Sequence, residues 1–210
     1  MLKAKFGTNL DGKLVRILPF LSRTRIRPDT LTLTGVGISC VAAIAFALHQ
    51  PFAAAFAIGI GGLFDALDGV VARQQGSSSK AGAFFDASMD RLSDMVVFSG
   101  IGIGMARDGE IAGLFLVWWA LIASVMTSYT RARAESQLST LSVGVMERAE
   151  RVLILALGAL LGFVEVALWL IAIGATVTTI QRIVAARRLL RAFEESGRDP
   201  TLEPEPLREN

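Results

Sequence analysis

Apolar residues in this chain fall into long runs separated by short polar breaks. Six such runs stand out, each roughly 18–25 residues, the length at which a helix spans a bilayer. They extend from Thr30 to His49, Pro51 to Ala72, Gly82 to Ala106, Ile111 to Thr130, Val152 to Phe163 with its flanks, and Val164 to Ala186. Pro28-Asp29-Thr30 opens the first run with residues suited to a helix start. Gln74 to Lys80, with Gly76 and serines, reads as a polar loop, and Glu135 to Met146 as a second connection. Ahead of the first run, Leu14, Ile17, Leu18 and Leu21 share a helical face while Lys13 and Arg16 sit toward headgroups. Residues 1–28 are therefore expected to form a juxtamembrane segment with an interfacial amphipathic helix. The stretch 193–210, with Pro200, Pro204 and Pro206, reads as a disordered cytoplasmic tail. The expected fold class is an all-α integral membrane protein, with six transmembrane helices in residues 29–192. No internal repeat is visible.

Composition strengthens the membrane reading. Of 210 residues, 52% are hydrophobic and the mean hydropathy is +0.52, too apolar for a soluble domain of this size. The net charge of +2 says little, but its placement says more. Lys3, Lys5, Lys13, Arg16, Arg23, Arg25 and Arg27 precede the first run; Arg73 and Lys80 follow the second; Arg131, Arg133, Arg148 and Arg151 lie between the fourth and fifth; Arg187, Arg188 and Arg191 close the sixth. The alternate connections hold almost nothing basic. The positive-inside rule then predicts both termini in the cytoplasm of a cell (inner) membrane protein. No cleavable signal peptide is expected, because about 29 residues precede the first run and no small-residue cleavage site follows a short apolar core. The single cysteine, Cys40, excludes an internal disulfide and a thiolate metal site, and reads as a small buried hydrophobe. Trp118, Trp119 and Trp169 read as lipid-facing or packing aromatics, and His49 as an inert turn residue.

Charge inside the runs calls for a reason, since each such side chain costs roughly 2.5–3.5 kcal/mol on insertion scales. Asp65 and Asp68 end the second run three apart, and Asp86 and Asp90 begin the third four apart, so each pair shares a helix face. The short loop between them makes the two helices antiparallel neighbours, and the four carboxylates can meet in one pocket. Mutual repulsion and desolvation there are relieved by a divalent cation. All-oxygen ligands select a hard ion, Mg²⁺ or Mn²⁺, and four aspartates can hold two. One ion would neutralise a diphosphate; the other would orient a hydroxyl, with a spare carboxylate to take its proton. Taken singly, each aspartate could instead be a helix-end charge paired to Arg73, Arg91 or Lys80. Gly69 and Gly82 suit close approach of a ligand to backbone, or close helix packing.

Written out, Asp65-x2-Asp68-Gly69-x2-Ala72-Arg73-x8-Gly82-x3-Asp86-x3-Asp90 resembles the full signature of the CDP-alcohol phosphotransferase family, with every defined position present. The resemblance implies that Asp65, Asp68, Asp86 and Asp90 bind metal, and that Asp90 is also the general base. It implies that Gly69, Ala72, Arg73, Ser79 and Gly82, with Asp29, Thr30, Leu31 and Thr32 nearby, hold the CDP-lipid. It further implies CDP-diacylglycerol as donor, a homodimer among membrane lipids, and no nucleic-acid partner.

Asp86-Ala87-Ser88-Met89-Asp90-Arg91-Leu92-Ser93-Asp94 resembles the D-A-x-x-D-R-x-S-D form of the phosphatidylinositol phosphate synthases within that family. So do Ser128 to Glu135, Glu147 to Arg151 and Gln181-Arg182, with Arg131 in place of a lysine and Ala149 in place of a proline. An inositol phosphate acceptor is the expectation from this resemblance. Phosphatidylglycerophosphate synthase, using glycerol 3-phosphate, is the alternative within the family, and a cation-binding transporter the alternative outside it. A phosphorylated acceptor also follows from the residues themselves. Arg131, Arg133, Arg151 and Arg182 come from three helix ends, and guanidinium groups suit phosphate; the competing explanation is positive-inside topology with snorkelling. Glu147 and Glu150 are expected to pair with these arginines, and Asp94 to support by hydrogen bonding rather than ligate.

Overall fold

The computed structural model describes residues 28–74, 79–138, 141 and 143–196, and the side chains of residues 28 and 66–74 lie outside that description. The amphipathic helix expected in residues 1–28 and the tail beyond 196 also lie outside it. The described residues form six helices: α1 Pro28–Ala47, α2 Pro51–Gln74, α3 Lys80–Arg107, α4 Ile111–Glu135, α5 Arg148–Leu160 and α6 Val164–Ser196. Each predicted run holds one helix, and no strand occurs among the described residues.

Local chemistry sets the ends. Proline stands at the first position of α1 and α2, where its missing N–H costs nothing. Asp29 therefore lies inside the first turn of α1 rather than capping it. Ser79 caps α3, its hydroxyl accepting from the Gly82 N–H at 3.0 Å. Three tight turns join α1 to α2, α3 to α4 and α5 to α6; His49, Gly109 and Gly162 bend them with φ of 57°, 74° and 77°. Arg107 donates to the Ala47 carbonyl at 2.9 Å, tying two of these turns together. The longer connections, flanked by helix ends that carry Arg73, Lys80, Arg131, Arg133 and Arg148, lie at the opposite end.

α1, α4 and α6 are each long and apolar enough to cross a membrane, over Asp29–Ala47, Ile111–Glu135 and Val164–Ser196. α3 has the length but carries Asp86, Asp90, Arg91 and Asp94 along its first half. α5, with 13 residues, is about 20 Å long and shorter than a hydrocarbon core of about 30 Å. Large apolar side chains point outward in numbers no aqueous surface carries, among them Phe56 at 67%, Phe84 at 75% and Phe115 at 73% exposure. Cys40 is among the outward-facing residues, which corrects the expectation of burial.

Inside, small residues let the helices approach closely. Ala42, Ala54, Ala120, Ala159, Ala172 and Ala175 are fully buried. A methyl group on Gly100 of α3 would collide with the Ala43 backbone of α1, so only glycine permits that crossing. Trp119 and Trp169 pack edge to face at 5.7 Å, and the Trp119 indole donates to Thr176 Oγ1 at 3.0 Å, joining α4 to α6. A second cluster, Ala134, Leu138 and Leu141, packs against Ala185, Leu189 and Phe193. That packing carries α6 on to Ser196, so residues 193–196, expected in the tail, are helical.

Candidate functional site

α2, α3 and α5 bring charge together deep in the bundle. Measured from the tight-turn end at 1.5 Å per residue, Asp65, Asp90 and Arg148 lie about 21, 26 and 18 Å along their helices, hence at a similar depth. One carboxylate oxygen each from Asp65, Asp86 and Asp90 lies within 4.8 Å of the others. Octahedral Mg²⁺ or Mn²⁺ binds oxygen at about 2.1 Å, so closure of less than about 1 Å would bring all three onto one ion. The donor set, carboxylates without His or Cys, fits a hard divalent cation. Asp68, the fourth expected ligand, lies on α2, and its side chain is outside the described set, as are those of Gly69, Ala72 and Arg73.

Positive charge is already present among the aspartates. Arg148 Nη1 lies 3.1 Å from Asp65 Oδ1 and 2.9 Å from Asp90 Oδ1. Arg148 Nε donates to Asp94 Oδ1 at 3.4 Å, and Arg151 Nη2 donates to Asp94 Oδ2 at 3.2 Å. Asp94 thus supports two arginines and stands outside the carboxylate cluster, as expected. Arg91 lies 3.5 Å from the other oxygen of Asp90.

Sequence reasoning assigned no site role to Arg148. Its signal was available: it precedes Arg151 by three on one helix face, at the recessed start of a short helix.

The remaining arginines separate. Arg151 and Arg182 are buried, at 3% and 2% exposure. Arg182 spends two donors on backbone, with Nε to Val143 O at 2.8 Å and Nη1 to Thr127 O at 2.7 Å. It is therefore a clamp on the α4–α5 connection as well as a cavity wall. Thr178 reinforces the clamp by accepting from Met146 N–H at 3.0 Å, and Gly144, at φ 130°, leaves room for Thr178 and Arg182. Arg131 is half exposed and pairs with Glu135 at 2.8 Å and Glu147 at 3.3 Å. Glu147 also approaches Arg182 Nη2 at 3.9 Å. Glu150 instead accepts from the Glu147 N–H at 3.0 Å and caps α5. Arg133 is exposed and does not line the cavity.

A cavity of about 530 Å³ connects these groups, of a size suited to a small-molecule ligand. All six helices line it: Leu31 and Thr32 of α1, Asp65 of α2, Asp90 and Asp94 of α3, Thr127 and Arg131 of α4, Arg148 and Arg151 of α5, and Arg182 of α6. Asp29 and Thr30 are exposed in the first turn of α1, and Ser79 and Gly82 meet each other at the α3 cap. These four do not line the cavity.

A profile of CDP-alcohol phosphatidyltransferases matches residues 25–181. The chain belongs to that family. Archaetidylinositol phosphate synthase of Pyrococcus horikoshii is 38% identical over 188 residues, covering 89% of this chain and 97% of the relative. Phosphatidylinositol phosphate synthase of Streptomyces avermitilis is 36% identical over 186 residues, covering 80% of this chain and 75% of the relative. Among solved structures, Mycobacterium tuberculosis phosphatidylinositol phosphate synthase in complex with manganese and citrate superposes with a TM-score of 0.71 at 31% identity, covering 86% of this chain and 88% of that one. The same enzyme with CDP-DAG bound gives 0.70 at 29% identity, covering 85% and 92%. The family places this chain among metal-dependent membrane transferases.

Proposed function

We propose that this chain transfers the phosphatidyl group of CDP-diacylglycerol to inositol phosphate, giving phosphatidylinositol phosphate and CMP. The single observation that carries the reading is one cavity holding both a carboxylate cluster and buried arginines. The relatives support the acceptor: their names differ in lipid, archaetidyl or phosphatidyl, and agree on inositol phosphate.

In this reading Asp65, Asp68, Asp86 and Asp90 hold two divalent ions, Mg²⁺ or Mn²⁺. When bound, the ions neutralise the diphosphate and stabilise charge on the departing CMP. Asp90 accepts the proton of the acceptor hydroxyl as its oxygen bonds to the phosphorus carrying diacylglycerol; the bond from that phosphorus to the CMP oxygen breaks. Arg151 and Arg182 hold the acceptor phosphate, with Arg131 and Arg133 nearer the entrance. In the same reading Gly69, Ala72, Arg73, Ser79 and Gly82 hold the CDP end beyond the mouth of the cavity, with Asp29 to Thr32 beside it. Residues 29–192 form the catalytic unit of six crossing helices, flanked by cytoplasmic segments 1–28 and 193–210, and two copies associate in the cell membrane.

CMP release by purified protein, measured with inositol phosphate and with glycerol 3-phosphate, tests the reading. Faster turnover with inositol phosphate is expected. Equal or faster turnover with glycerol 3-phosphate would replace it by phosphatidylglycerophosphate synthesis. Asp90→Asn is expected to abolish release; substantial retained turnover would remove the base role.

A further inference from the structure

Arg148 is not placed as positive-inside topology alone would place it. A topological arginine snorkels toward headgroups; this one, 23% exposed, turns inward from the first residue of α5 to the Asp65 and Asp90 oxygens. A divalent ion held by Asp65 and Asp90 uses the same carboxylates, at about 2.1 Å. A guanidinium nitrogen about 3 Å from those oxygens would then stand within contact distance of the ion, with like charges at close range in a partly buried site. The two cations compete for the same oxygens.

We infer that Arg148 is a built-in counter-cation of the metal-binding aspartates, displaced from Asp65 and Asp90 when a divalent ion binds and kept in the cavity by Asp94. The inference rests on the metal reading of the aspartates given above. Asp94 lies one helical turn beyond Asp90 and already accepts from Arg148 Nε, so the displaced guanidinium stays tethered beside Arg151. There it adds a forked donor to an anion-binding wall only once the metal site is loaded. The preceding residue mirrors it: Glu147 lies 3.3 Å from Arg131 and 3.9 Å from Arg182. Two consecutive side chains thus neutralise the acidic and basic halves of one cavity.

Mn²⁺ titration of the full chain in detergent, read as loss of the free-ion EPR signal, tests this without turnover. Arg148→Gln is expected to bind Mn²⁺ on the order of tenfold more tightly than wild type, because the ion no longer displaces a charge-assisted contact. Arg151→Gln controls for the general field and is expected to shift affinity by less than about threefold. In thermal unfolding, Arg148→Gln should be less stable than wild type in EDTA, and the gap should close at saturating Mn²⁺. Unchanged or weaker Mn²⁺ binding by Arg148→Gln, or an equal gain in Arg151→Gln, would overturn the inference. Should Arg148→Gln fail to fold, Arg148→Met, uncharged and of similar reach, decides: affinity above wild type supports displacement, and affinity at or below it overturns it. Wild type that binds no Mn²⁺ would overturn the metal reading itself, and this inference with it.

Discussion

Asp94→Asn removes the carboxylate that joins the aspartate side of the cavity to its arginine side. Asp94 receives Arg151 Nη2 at 3.2 Å and Arg148 Nε at 3.4 Å. Both contacts are longer than the 2.7–2.9 Å usual for charge-assisted bonds, so each falls at or below the lower end of about 1.5–3 kcal/mol. The Arg151 side chain is 4% exposed and cannot exchange its partner for water, whereas Arg148, at 23%, can in part. About 1.5 kcal/mol for the first and about 0.5 kcal/mol for the second give a loss near 2 kcal/mol. In a chain of this size that lowers the thermal midpoint by about 4–8 °C. Arg151 also loses its orientation, so KM for inositol phosphate should rise about tenfold while KM for the CDP-lipid changes by less than about twofold. Steady-state CMP release with each substrate varied separately reads both. Equal rises in the two constants, or an unchanged midpoint with an unchanged acceptor KM, would refute the bridging role.

Gly100→Ala puts a methyl group into the Ala43 backbone; a destabilisation of about 1–3 kcal/mol is expected, checked by thermal unfolding in detergent. Thr178→Val removes the acceptor of the Met146 N–H; a loss of about 1–2 kcal/mol is expected, with faster proteolysis between residues 136 and 147 as the readout. EDTA should abolish CMP release and either Mg²⁺ or Mn²⁺ should restore it; activity that survives chelation would exclude a metal requirement.

The helices were legible because lipid-facing runs are apolar along their whole length and end at proline, glycine and charge. The Asp65, Asp86 and Asp90 cluster was legible too, because helix periodicity and a short loop leave antiparallel neighbours little choice. What could not be read was how long side chains divide their contacts. Arg182 carried the same signal as Arg151, yet gives two donors to the Val143 and Thr127 carbonyls. Val143 belongs to a connection with no hydrophobic pattern, and the Thr127 carbonyl sits within α4, where helix periodicity gives no hint of a side-chain donor. Arg148 looked like topology because charge counting is blind to direction, and only the short reach of α5 recesses it to the level of the aspartates. Cys40 faces outward because, in lipid, an apolar residue gains nothing from turning inward.

CMP release with inositol and with inositol phosphate, under saturating CDP-diacylglycerol and Mg²⁺, tests most directly whether the arginine wall selects a phosphate beside the carboxylate cluster. Inositol phosphate should turn over and inositol should not, and Arg151→Gln should erase most of that preference by slowing only the phosphorylated acceptor. Turnover of inositol as fast as inositol phosphate would contradict it.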